Sequence, residues 1–196
     1  MTKLTAQQVE DVLAFWFGAG DDEALNQPRE AWFRRDDAFD AEIRRRFLPL
    51  WQGLAAGALA IDADDARSAL AWLIVADQFP RNLFRGDARA FSSDGKAREG
   101  ALLALGRGVD QALPPTARVF VYLPFEHSED MADQRQSLEL FAALDAALPG
   151  SNYLDYAQRH QRVIAEFGRF PHRNAALGRT STPAEQSYLA QPGAGF

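Results

Sequence analysis

Apolar residues recur along this chain at three- and four-residue intervals, and strict alternation is nowhere sustained, so the pattern predicts helices throughout. Thr5 with Gln8 forms a capping box ahead of Val9, Val12, Leu13 and Trp16, and Gly18 and Gly20 stop that run. Pro28 opens a short helix through Trp32 and Phe33. Asp36 starts a longer one with Phe39, Ile43, Phe47, Leu50 and Leu54 on one face, which Pro49 is expected to kink or divide. Asp64 or Asp65 begins the next, through Leu70, Leu73 and Ile74 to Phe79-Pro80, where the proline is expected to end it.

Ser93 is the expected cap of a helix through Ala97, Ala101 and Leu105 that Gly106 or Gly108 ends. Val119 to Leu123 is β-branched and aromatic enough for a strand, yet no partner strand is evident, so it reads as helix. Ser128 is the expected cap of a helix through Leu138, Phe141 and Leu144, closed by Pro149-Gly150. Tyr153, Ala157, His160, Ile164 and Phe167 form one stripe that stops at Gly168. Thr182-Pro183-Ala184-Glu185 combines an N-cap, a proline at the first helical position and a capping-box glutamate. No Gly/Ser linker separates these segments, so the expectation is an all-α chain forming a single helical domain over residues 1–196.

Composition narrows the function classes. With 196 residues, 47% of them hydrophobic, the chain can bury a continuous core. Its 27 acidic side chains against 21 basic ones argue against nucleic-acid binding. The absence of cysteine excludes disulfides, thiolate metal sites and a cysteine nucleophile. Gln8, Glu10 and Asp11 interrupt the first apolar stretch, unlike a signal peptide, and no segment is apolar enough to span a bilayer, so a cytoplasmic location without membrane contact is expected.

Candidate chemistry gathers in three short segments. Phe79-Pro80-Arg81-Asn82 recurs as Phe170-Pro171-His172-Arg173-Asn174, and between the copies lies Pro124-Phe125-Glu126-His127-Ser128-Glu129-Asp130. Arg81 and Arg173 follow predicted helix ends, where guanidinium groups either satisfy carbonyls and the negative end of the dipole or, if buried, require carboxylates. Glu126, Glu129, Asp130 and Asp77 are the available partners, which predicts that the acidic segment folds against at least one Arg-Asn phrase. Asn82 and Asn174 suit turn geometry, or orientation of a ligand if the turns line a cavity. His160 reads either as a core histidine with one hydrogen-bonded nitrogen or as part of a pocket shared with His127 and His172. No histidine pair has metal-ligand spacing, Ser128 lacks a nucleophile elbow, and no cofactor motif is present. Phe15-Trp16-Phe17, Trp32-Phe33, Trp51 and Trp72 read as core, or in part as a groove for a peptide.

The segments Phe15 to Gly18, Asp77 to Asn82, Pro124 to Asp130, and Phe167 to Asn174 with Leu177-Gly178-Arg179 and Ser181-Thr182 resemble a bacterial family, domain of unknown function 924, over nearly the whole chain. That resemblance implies an all-helical fold related to tetratricopeptide repeats and carries no activity, cofactor or catalytic residue. The expected architecture is about nine helices in tetratricopeptide-like antiparallel packing. On the side chains themselves, the leading expectation is a pocket for a small anionic metabolite built from Arg81, Asn82, Glu126, His127, His160, Arg169, His172, Arg173 and Asn174, with a histidine as acid or base if catalysis occurs. The alternative is a non-enzymatic scaffold for a protein partner, its polar motifs serving structure. Neither the reaction type nor the oligomeric state follows from the residues.

Overall fold

In a computed structural model, residues 1–195 are described; their regular elements are all helices, with one isolated bridge between Thr2 and Leu59. The helices are α1 (Ala6–Phe17), α2 (Asp22–Leu25), α3 (Asp37–Ala55), α4 (Ala66–Leu73), α5 (Phe79–Leu83), α6 (Asp94–Arg107), α7 (Pro115–Glu126), α8 (Met131–Asp145), α9 (Tyr153–Phe167) and α10 (Pro183–Leu189). A π turn, Ile74–Gln78, joins α4 to α5 without a break. The chain forms two compact units, Met1–Arg85 with Arg89–Pro124, and Gly86–Ala88 with the chain from Phe125 onward.

The first unit is organised around fully buried aromatics. Trp16 from α1 meets Phe79 edge-on at 5.7 Å and Phe120 of α7 at 5.6 Å, while Phe47 of α3 stacks on Phe79 at 4.8 Å. The apolar face of each helix therefore converges on one core, as its spacing predicts. Both capping boxes form, Thr5 with Gln8 and Thr182 with Glu185, and each contributes about 1 kcal/mol to its helix start.

Pro49 lies inside α3 without dividing it. The expectation for Pro80 is overturned. At Pro80 the helix does not end. The Phe79 N–H donates to the Ile74 carbonyl, five residues back, in the wider winding of a π turn. Pro80 has no N–H for the Ala76 carbonyl, and the Ser93 hydroxyl donates to it instead at 2.6 Å. Ser93 in turn accepts from Trp51 Nε1 at 3.2 Å, so its hydroxyl is spent there and makes no side-chain cap for α6.

The second unit is built on α8 and α9, packed along each other and joined by a short turn, with α10 and the chain after α9 closing over them. Asp130, rather than Ser128, caps α8, accepting from the N–H groups of Ala132 and Asp133. Ser128 instead donates to the Asp133 carboxylate at 2.6 Å. Val163, Ile164 and Phe170 form the core, with Met131, Phe167 and Tyr188 packed against it. No helix among the described residues is long and apolar enough to cross a membrane.

Candidate functional site

The two copies of the duplicated phrase have separate surroundings. In the first unit, Arg81 Nη2 donates to Asp77 at 3.2 Å and to Asp94 at 3.0 Å. Burial works against the guanidinium charge, and the two carboxylates outweigh it, so the Arg81 pKa is raised. Asn82 donates to Asp40 at 2.7 Å, and Arg85 pairs with the same carboxylate. Burial pushes the Asp40 carboxyl up; the bonds from Arg85 and Asn82 overcome this and hold it below its ordinary value. Arg81 and Asn82 are thus tied into ion pairs and hydrogen bonds that fasten α5 to α3 and α6.

In the second unit, α9 ends at Gly168, and the following residues turn through a 3-10 segment, Pro171–Arg173. This turn folds against the acidic segment. Glu129 accepts the Phe170 N–H at 2.8 Å and a two-pronged pair from Arg179 at 2.7 and 2.9 Å. Burial raises the Glu129 pKa, and Arg179 with the Phe170 N–H more than reverses that. Arg179 reaches on to Asn174 Oδ1 at 2.9 Å, and the Asn174 amide donates to Ser181 and Glu185. Arg169 makes a second two-pronged pair with Glu185 at 2.6 and 2.8 Å. With the Thr182 N–H also bonded to it, Glu185 is held well below the usual carboxylate range, at about 2. Arg169 and Asn174 therefore belong to a chain of polar contacts that holds the turn in place.

The remaining candidates meet around one ring. Phe170, fully buried, has the His160 ring edge-on at 5.5 Å, the His172 ring at 5.6 Å, and the Arg173 guanidinium stacked over it at 4.6 Å. His127 stands 6.3 Å from His160, and its carbonyl accepts from Arg173 Nη2 at 2.9 Å. Gln134, buried on α8, holds the backbone of this segment by donating to the carbonyls of Glu126 and Ser128, each at 2.7 Å. His160 Nδ1 lies 2.8 Å from the Tyr156 carbonyl and 3.1 Å from Glu126 Oε1. Two oxygen acceptors at one nitrogen place the ring proton on Nδ1 and the lone pair on Nε2. Burial first, then the neighbouring His127, and to a lesser degree His172 and Arg173, push the His160 pKa down to about 3, so this imidazole is neutral at pH 7.

The sequence profile of a bacterial family, protein of unknown function (DUF924), matches residues 12–193. The chain belongs to that family. No curated protein matches it. A solved structure, of the protein of unknown function ATU0120 from Agrobacterium tumefaciens, is similar with a TM-score of 0.81 and 40% identity, covering 95% of this chain and 99% of that one.

For this DUF924 chain, the structure adds residues that the sequence reading left outside its candidate set. Phe170 is the ring on which the cluster is assembled, and its signal was its place in the duplicated phrase. Gln134 carried no legible signal. Arg179 stood in a quoted motif, and Glu185 in a capping box, but neither pattern reveals a pair reaching across a turn. Among the described residues, no group of three histidine, aspartate or glutamate side chains is disposed to hold a metal ion. A cavity of ≈ 520 Å³ in the same unit is lined by other residues, Arg159, Arg162 and Tyr188 among them, and by none of the sequence candidates.

Proposed function

We propose that His127, His160, His172 and Arg173 bind a compact anion, of the carboxylate or phosphate class, against the Phe170 ring. One observation carries this reading: the chain has three histidines, and all three meet there with an arginine. Histidine and arginine neighbours that disfavour a proton on His160 favour an anion for the same Coulombic reason. Arginine's planar donors suit two-oxygen ligands, while His160, with a pKa of about 3, is too weak a base to take a proton from a bound molecule near neutrality. Arg81, Asn82, Arg169 and Asn174 act as structural fasteners in this reading.

The competing reading, an interaction scaffold without chemistry, draws support from those same fasteners, because so many of the motif side chains are paired within their own unit. His172 separates the two, being half-buried and outside the two-pronged pairs. Inorganic phosphate and malonate should raise the melting temperature of the wild-type protein at millimolar concentration. The His172→Asn variant should keep its unliganded melting temperature and circular dichroism yet lose most of that rise. An equal rise in both proteins would mark general salt stabilisation and remove the reading, as would no rise at all.

A further inference from the structure

The ≈ 520 Å³ cavity lies between α9, α10 and the turn that follows α10, and its volume falls within the range of small-molecule sites. Its α9 wall is distinct from the stripe that carries His160. Arg159 and Arg162 stand one turn apart on that wall, with Glu166 a further turn along. Val163 of α9 and Tyr188 of α10 supply apolar surface, and the Tyr188 ring is fixed by Phe167 at 5.2 Å. Pro192 and Gly193 close one end. Gly193 turns there with φ 77°, and a β-carbon added to it would lie 3.8 Å from Arg159 Nη2. A side chain at this position would be strained by the backbone conformation alone, since a β-carbon would make only ordinary contact with the guanidinium.

The charge on the walls narrows the occupant. Arg159 is held over the Tyr156 ring at 4.8 Å. The Arg162 guanidinium makes no hydrogen bond or ion pair with any described residue, although the chain carries an excess of carboxylates and Glu166 is only one turn away. Arg162 is thus one guanidinium on the cavity wall that no described residue pairs with, which matches a ligand with a single carboxylate, and Glu166 beside it works against polyphosphates. The tyrosine, valine and proline surface matches a ligand with an apolar body. We infer that this cavity is a second ligand site, separate from the histidine cluster, which takes a small monocarboxylate carrying an aromatic or branched apolar group. The carboxylate meets Arg162 through charge-assisted hydrogen bonds, and the hydrocarbon lies over Val163, Tyr188 and Pro192.

Phenylacetate and its uncharged analogue phenylacetamide test this by calorimetric titration of the full chain. Phenylacetate should bind the wild-type protein, and phenylacetamide should bind about tenfold more weakly or not at all. Arg162 is exposed, so Arg162→Gln should fold normally, and it should weaken phenylacetate binding about tenfold. His172→Asn should leave phenylacetate binding unchanged, which keeps this site distinguishable from the histidine cluster. Absence of phenylacetate binding, equal affinity for the amide, or undiminished affinity in Arg162→Gln would each overturn the proposal, and loss of binding in His172→Asn would reassign it to the histidine cluster.

Discussion

The same short phrase is folded in two ways in this molecule. No glycine stands in the helix that leads into Phe79-Pro80, from Ala66 to Gln78, and this helix absorbs the proline through a π turn, continuing as α5. Before Phe170-Pro171 stands Gly168 at φ 68°, whose N–H closes α9 onto Ile164, and the chain leaves the helix before the proline arrives. A proline three residues beyond a left-handed glycine follows a helix end already made; a proline without one must be accommodated by winding and a borrowed donor. The electrostatic outcome differs as well. Arg81 is flanked by Asp77 and Asp94, whereas Arg173 stacks on Phe170, donates to a backbone carbonyl and has histidines around it. One copy of the phrase sits among aspartates, and the other among histidines with Glu126 and Glu129 beside them.

Removing the phenylalanine of each copy gives the largest expected effect. Phe79 and Phe170 are both fully buried, so Phe79→Ala and Phe170→Ala should each cost about 3–5 kcal/mol in urea denaturation. Their local consequences should diverge. Phe170→Ala should shift the imidazole resonances of all three histidines in NMR spectra, because their placement depends on that ring, while Phe79→Ala should leave them in place. Unmoved histidine resonances in Phe170→Ala would show that the ring does not organise the cluster, and the contrast between the two copies would lose its main support.

Titration sharpens the comparison by a smaller amount. The first unit contains no histidine, and the lowered pKa values of Glu42 and Asp40 make it lose stability as pH falls below the ordinary carboxylate values of 4.5 and 3.8. In the second unit His160 is neutral in the folded state down to about 3, against 6.5 ordinarily. Its unfolded form takes up a proton below pH 6.5 that the folded form refuses, so stability falls as pH falls from 6.5, by at most about 1.4 kcal/mol per pH unit. Glu185 adds the other part of the curve. Its stabilisation is complete above 4.5 and is lost as pH drops toward about 2. Between pH 6.5 and 4.5 the His160 contribution should therefore stand apart, and His160→Gln should flatten that part of the stability profile while leaving the acid limb intact. An unchanged slope in the variant would contradict the assignment of a neutral, buried imidazole.

How much of this was legible in the chain depends on the range of the interaction. Capping boxes at Thr5 and Thr182, the stop at Gly168 and the helical character of Val119 to Leu123 are written in residues a few positions apart, and the structure has each of them. The apolar stripes also placed Trp16, Phe47 and Ile164 in the core. Interactions that close across a turn or between helices were not legible. The expected partner of the acidic segment was an Arg-Asn phrase, and Glu129 does meet the second phrase through the Phe170 N–H, but its ion-pair partner is Arg179, beyond the phrase. Likewise, Ser93 and Ser128 each have the right residue type and position for a cap, but the Ser93 hydroxyl is committed to the distant Ala76 carbonyl and the Ser128 hydroxyl to Asp133, five residues on, leaving Asp130 to cap α8. Convergence of the three histidines depends on Phe170 as a hub, a property of packing rather than of pattern.

Ser93 offers the finest probe of the difference between the two proline turns. Its hydroxyl donates to the Ala76 carbonyl, the acceptor that Pro80 cannot serve, and it is almost wholly buried. Ser93→Ala would leave that carbonyl without the hydroxyl donor and Trp51 Nε1 without its acceptor, at a cost of about 1–3 kcal/mol. Pro80→Ala alone should be destabilising or neutral, because the helix around the π turn is packed for a proline. In the background of Ser93→Ala, however, the same change restores an N–H that can serve Ala76, so the double variant should recover part of the loss. A double-mutant cycle measures this coupling directly, and its sign is the informative quantity. Additive effects would mean that the carbonyl is satisfied some other way, and that the serine is not what allows the helix to run on through Phe79-Pro80.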